Sequence, residues 1–144
     1  MYWIQSINNG PRRVNHAAAY LDNFIYSFGG YSNTEDYSSL TPIDVHRLNI
    51  GFSFSFSLFL NKSIFFFKFH LDTLKWYQIL KPNKNDIQYS STPYSRYGHT
   101  IIVYQRKFYL WGGRNDHSRA CNQLFCFNPG LFAFFFLLLN SYSE

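Results

Sequence analysis

The stretch RVNHAAAYLDNFIYSFGG, residues 13–30, returns 83 residues later as RYGHTIIVYQRKFYLWGG, residues 96–113. Both copies run Arg-x-x-His, an apolar segment, two polar residues, a second apolar segment and Gly-Gly. In this register Tyr20 falls on Val103 and Tyr26 on Tyr109. A fixed spacing of this kind marks a repeat architecture, in which each copy is one supersecondary unit that buries its apolar face only against a neighbour.

Each copy reads as a β-hairpin. Residues 14–21 and 24–28 flank Asp22-Asn23, and residues 98–104 and 108–111 flank Gln105-Arg106. Two short apolar or alternating runs joined by a few turn-forming residues are a hairpin signal. The pairs Gly29-Gly30 and Gly112-Gly113 then end the second strand, where they give the backbone a freedom and a closeness of approach that side chains forbid.

Outward from the hairpins, a third strand is expected at 43–49 and at 122–128, with a loop four residues shorter in the second copy. A fourth strand should carry a large anchor, and Trp76-Tyr77-Gln78 fits, resembling Trp3-Ile4-Gln5. Trp76 lies 27 residues beyond Asn49, too far for an ordinary hairpin turn. Removing Ile50 to His70 would place it six residues after Asn49. The second unit is read as lacking a fourth strand, because after Asn128-Pro129 the chain continues GLFAFFFLLLNSYSE.

Aromatic residues make up 22% of the 144, and the Phe among them are unevenly placed: 12 of 17 fall in 51–70 and 130–144. Three readings compete for these stretches. Crossing a membrane needs about 20 mostly apolar residues; residues 131–139 supply nine, and 51–70 contains Asn61, Lys62, Lys68 and four Ser. The alternation Phe52-Ser53-Phe54-Ser55-Phe56 could form an extra strand. The third reading is translated intron, since Phe and Leu codons are pyrimidine-rich, as is the tract before a splice acceptor, and each stretch opens beside a Gly. On this last reading 50–70 is an insertion foreign to the fold and 130–144 an aberrant tail.

The resulting organisation is a strand at 1–10, a first unit at 11–49 plus 71–90, and an incomplete second unit at 91–129. With 47% hydrophobic and 15% charged residues, the chain is expected to be globular. Its start has no apolar run of signal-peptide length, so a reducing compartment, cytoplasm or nucleus, is expected. Cys121 and Cys126 are too few for a disulfide framework and read as ordinary thiols. The charge of +5 is scattered, with no basic run longer than Arg12-Arg13, and describes a solvated surface better than a nucleic-acid patch.

His16 and His99 occupy one repeat position, which favours a structural landmark over a ligand. His46, His70 and His117 add no metal-binding spacing. Asp36, Asp44, Asp72 and Asp116 sit where turns are expected. No nucleophile elbow, P-loop or dinucleotide fingerprint is present, so no catalytic residue, metal or cofactor is expected.

These units, with His, Gly-Gly and Trp landmarks, resemble kelch repeats, the four-stranded blades of a β-propeller. The wording GPRRVNHAA, YSFGGY, EDY, IDVH, RYGHT and LWGGRND carries the resemblance, which covers 1–49 and 71–129. It implies an all-β fold, a partial and unclosed propeller of about two blades, with His16, Gly29, Gly30, Trp76, His99, Gly112 and Gly113 as structural landmarks. It also implies that Trp3 begins a strand completing the last blade of a longer ring.

The same resemblance implies a non-catalytic protein-binding module. Some kelch propellers are copper oxidases, but no stretch of this chain matches their site. A nearer likeness within the family implies a substrate receptor of a cullin-2 RING ubiquitin ligase that captures protein C-termini on its rim loops. The alternative is a chromatin-associated factor in meiotic recombination. Arg13 and Arg96, at one repeat position, are the leading ligand candidates because a guanidinium holds a carboxylate bidentately. Arg114 and Tyr97 follow, with Tyr31 and Tyr37 as further aromatic contact area.

Overall fold

The structure is a computed structural model that describes residues 10–35, 37–38, 40–51, 53–55, 68–70, 74–80 and 91–137. Trp3, Asp36, Asp72, most of 50–70, all of 81–90 and the end of the tail lie outside the described residues.

Two antiparallel meanders form the fold. The first comprises β1 (Ala17–Leu21), β2 (Phe24–Phe28), β3 (Val45–Asn49) and β6 (Trp76–Leu80), hydrogen-bonded in that order. The second comprises β7 (Tyr97–Tyr104), β8 (Lys107–Asn115), β10 (Leu124–Asn128) and β11 (Ala133–Leu137), with the short β9 (Arg119–Ala120) paired to β8. This is the all-β, unclosed arrangement of about two blades that the kelch resemblance implies.

The hairpin turns behave as their sequences require. Asp22 and Asn23 have φ of 50° and 65°, and Gln105 and Arg106 have 46° and 58°. Two successive residues with positive φ match the right-handed twist of the flanking strands, the geometry of tight hairpin turns. The register follows: Tyr20 faces Ile25 across the first turn, and Val103 faces Phe108 across the second.

The first blade closes around the Phe-rich insertion. Leu74 donates its N–H to the Asn49 carbonyl, and Leu48 faces Trp76 across β3 and β6. The chain thus leaves and rejoins the blade at one point. Within the insertion, β4 (Ser53–Ser55) and β5 (Lys68–His70) pair with each other as a separate two-stranded sheet, with Ser53 facing His70. Part of the alternating Phe-Ser run is therefore a strand, and it belongs to neither blade.

The second blade differs from the expectation that it lacks a fourth strand. Ala133–Leu137, from the Phe/Leu-rich tail, pairs with β10 so that Phe134 faces Phe127, as Trp76 faces Leu48 in the first blade. The physical reason is period: alternate residues of AFFFL point to opposite faces, so Phe134 is buried while Phe135 is exposed. An apolar run of any origin that offers five residues at an open sheet edge can complete the ladder.

One core lies between the blades. Tyr26, Phe28 and Val45 of the first blade meet Phe108, Leu110, Phe125, Phe127 and Phe134 of the second. Phe28 packs on Phe108 at 5.2 Å between ring centres and edge-on to Phe127 at 5.5 Å. Full burial of such a side chain contributes roughly 1.5–3 kcal/mol, so this seam dominates the stability of the pair.

Candidate functional site

The first strands of the two blades lie side by side, and the backbone locks them there. Gly30 donates its N–H to the Arg96 carbonyl at 2.9 Å, and Gly98 donates to the Asn15 carbonyl at 2.9 Å. Gly29 and Gly30 have φ of 47° and 97°, and a Cβ on Gly29 would stand 2.8 Å from the Arg96 carbonyl oxygen. On Gly30 it would stand 2.7 Å from the Cβ of His16. The equivalent contact recurs in the second blade, where a Cβ on Gly113 would lie 2.9 Å from that of His99. The landmark residues therefore act as a packing unit, with each His seated against the second Gly of its own blade.

Above this seam the segments that lead into the first strands form a rim. Arg13 donates to Asp44 Oδ2 at 2.6 Å and also to Glu35. Burial alone would lower the Arg13 pKa, but the hydrogen bond and charge of Asp44, with those of Glu35, outweigh it and raise the value. His46, 3.7 Å from Asp44, is shifted down because burial outweighs that carboxylate. Arg13 is thus held as part of a half-buried ion cluster within its own blade.

Arg96 is placed differently. It is 2% exposed, donates from Nη1 to the Gly112 carbonyl at 3.1 Å and to Cys121 Sγ at 3.0 Å, and donates from Nε to the Tyr94 carbonyl. Its guanidinium also lies over the Phe125 ring at 5.2 Å. Repeat equivalence gave Arg13 and Arg96 one expected role, and the structure gives both guanidiniums internal partners of different kinds.

Arg114 and Tyr97, by contrast, come together on the open side of the rim. They face each other across β7 and β8. Tyr97 donates its hydroxyl to Asp116 Oδ1 at 2.9 Å, which raises the phenol pKa, and the Arg114 Nε lies 3.8 Å from the same oxygen. The Arg114 side chain is 63% exposed. Beside it runs an open groove of about 440 Å³, lined by Tyr97, Gly98, Thr100, Trp111, Gly112, Gly113, Arg114, Ala120 and Cys121.

Tyr31 and Tyr37 extend the aromatic surface, as their place in the sequence suggests. Their rings stack at 5.2 Å, and each meets Tyr97 edge-on, at 5.7 and 5.8 Å. Tyr37 is a structural member of this group: it donates to the Gly30 carbonyl at 2.7 Å, and burial pushes its pKa up to about 12. Tyr31 keeps 40% of its surface exposed.

Sequence reasoning missed Asp44 and Glu35 as partners of Arg13 and Cys121 as a partner of Arg96. No spacing signal marks them, because each reaches its arginine through a loop. Cys121 is half-buried and Cys126 buried, and both are free thiols. Among the described residues no group of three His, Cys, Asp or Glu side chains could hold a metal ion.

Kelch domain-containing protein 3 of Homo sapiens is 39% identical to this chain over 128 residues, covering 88% of it. The chain belongs to the kelch family. Kelch domain-containing protein 3 of Mus musculus is 38% identical over the same length. Host cell factor 2 of Homo sapiens is 28% identical over 122 residues, which is 81% of this chain and 13% of that protein. No protein-family model matches the chain. The kelch assignment thus rests on these relatives and on the two-blade fold, and the chain spans only 28% of the length of kelch domain-containing protein 3.

Proposed function

We propose that this chain is a protein-binding kelch module that holds an acidic or C-terminal peptide segment at its rim. One observation carries the reading: Arg114 presents an exposed guanidinium beside an open groove, and its ion pair among the described residues is one long contact to Asp116. Arginine's planar fork suits a carboxylate, Tyr97 and Tyr31 supply rigid aromatic area, and the glycines let a bound backbone approach closely. Arg13 and Arg96 support the rim from behind.

By its likeness to kelch domain-containing protein 3, the whole protein of which such a module forms part would serve as a substrate receptor of a cullin-2 ubiquitin ligase, working in cytoplasm or nucleus. A chromatin-associated role in meiotic recombination is the alternative. The two separate by ionic strength and by end group. Fluorescence anisotropy with a pool of labelled peptides carrying free C-termini, and the same pool amidated, reads the choice directly. The expected result is binding that weakens about tenfold or more on amidation and on Arg114→Ala, the scale of a lost charge-assisted hydrogen bond. Indifference to amidation, with duplex DNA binding that falls steeply with salt, would replace the peptide reading with the chromatin one.

A further inference from the structure

The two blades also meet at the end opposite the rim. The Asp22-Asn23 turn between β1 and β2 and the Gln105-Arg106 turn between β7 and β8 lie there, away from the Gly-Gly pairs. Between them opens a cavity of about 380 Å³, within the range of small-molecule pockets. The first blade contributes Asp22, Phe24 and Tyr26 to its lining, and the second contributes residues 105–107 and 128–130. Both of its neighbours are therefore present, and it shares no lining residue with the groove beside Arg114.

The charges around this cavity do not balance. Arg106 pairs with Asp22 at 2.5 Å, but the side chains are 77% and 45% exposed, so solvent screens the contact and a stronger anion can displace it. Lys107 has no ion-pair partner among the described residues. Arg47 adds a third cation against the Phe24 wall, 4.6 Å from the ring centre, with a buried Nε that has no hydrogen-bond partner. Among the described residues its guanidinium meets the rings of Phe24, Tyr77 and Phe132 and no carboxylate. Three cations against one carboxylate leave an excess that matches the nearly doubly negative charge of a phosphate monoester.

The rest of the lining suits a flat heterocycle. Phe24 and Tyr26 meet edge-on at 6.2 Å and, with Pro129, form an apolar wall. Asn128 accepts the Gly130 N–H on Oδ1 at 2.9 Å, which leaves its NH2 to donate. Gln105 donates from Nε2 to the Tyr104 hydroxyl at 3.3 Å, which leaves Oε1 to accept. An aromatic wall holds a base by its π-face, and an amide donor beside an amide acceptor can meet its polar edge.

We propose that this cavity is a second binding site, and that it takes a small phosphate monoester on an aromatic heterocyclic body, the nucleoside monophosphate class. Lys107 and Arg106 hold the phosphate, with Arg106 exchanging Asp22 for it. Phe24, Tyr26 and Pro129 wall the base, and Gln105 and Asn128 meet its edge. A ligand so held bridges the two blades at the end away from the peptide rim, so the two sites fill independently.

Calorimetric titration of the purified 144-residue chain with adenosine monophosphate tests this, with inorganic phosphate and adenosine as the separate halves. The expected result is saturable binding of the monophosphate, about tenfold tighter or more than either half. Lys107→Ala, a change at an exposed position, should weaken it about tenfold, the scale of a lost charge-assisted hydrogen bond. Asp22→Asn should tighten it severalfold, because the competing carboxylate is gone and Asn tolerates the φ of 50° in this turn. Circular dichroism confirms that both variants fold, and either one alone decides the outcome. Absence of binding at millimolar monophosphate, phosphate binding as tight as the monophosphate, indifference to Lys107→Ala, or weakening by Asp22→Asn would each overturn the proposal.

Discussion

Phe28 is fully buried and Trp111 is 45% exposed, although the two stand at the same position of successive repeats. The difference is the neighbour, since the second blade covers Phe28 and no described element covers Trp111 in the same way. Phe28→Ala therefore removes a ring from a closed core and should cost about 3–5 kcal/mol. Trp111→Ala should cost about 1 kcal/mol, and urea denaturation of the two variants measures the contrast.

The glycines carry the same asymmetry in the backbone. Gly29→Ala puts a methyl 2.8 Å from the Arg96 carbonyl and 2.9 Å from Ile43, at a φ of 47°. Gly112→Ala meets a nearest atom at 3.5 Å, so its cost is mainly the positive φ of 72°. Expected losses are about 3 kcal/mol or more for Gly29→Ala, where overpacking adds to strain, and about 1–2 kcal/mol for Gly112→Ala. Equal losses in calorimetry would show that the blades do not meet at Gly29.

The repeat made most of this fold legible. Its 83-residue register contained both hairpins, both tight turns and both Gly-Gly pairs, because local chemistry at Asp22-Asn23 and Gly29-Gly30 dictates local geometry. What it could not show was context. Arg13 and Arg96 read alike in sequence, yet one meets carboxylates and the other meets carbonyls and a thiol, since their partners come from loops that differ between copies. The fourth strand of the second blade was hidden for another reason: AFFFL has the alternation of a strand but none of the repeat's landmark residues, and only an open edge at β10 recruits it.

That recruitment is itself open to measurement. Phe134 is 4% exposed and packs on Phe127 at 4.9 Å and on Phe28 at 6.3 Å. Phe134→Ala should lower stability by about 3–5 kcal/mol, while Phe135→Ala, on the exposed face, should change it by about 1 kcal/mol or less. Equal and negligible effects of the two would remove β11 from the blade.

His99 sets the acid limit. It is 7% exposed, and burial, reinforced by the Arg96 charge, lowers its pKa from 6.5 to about 4. The unfolded chain then binds a proton that the folded chain resists, so the contribution is complete above pH 6.5 and is lost as pH falls from 6.5 toward 4. By pH 5 the loss should reach about 2 kcal/mol. Burial shifts His46 in the same direction and adds to the slope. Denaturation midpoints between pH 7 and 5 should show this fall, and His99→Gln should flatten it whatever the variant's stability at pH 7.

Two kelch blades dock through Gly30, Arg96, Gly98 and Asn15, and amide hydrogen exchange at Gly30 and Gly98 tests this docking most directly. Both N–H groups bond across the seam, not within a strand pair of their own blade. If the blades form one unit, both amides exchange as slowly as Tyr26 in the middle of β2. Exchange at the rate of an unstructured peptide at Gly30 and Gly98, with β2 still protected, would show folded blades that do not dock.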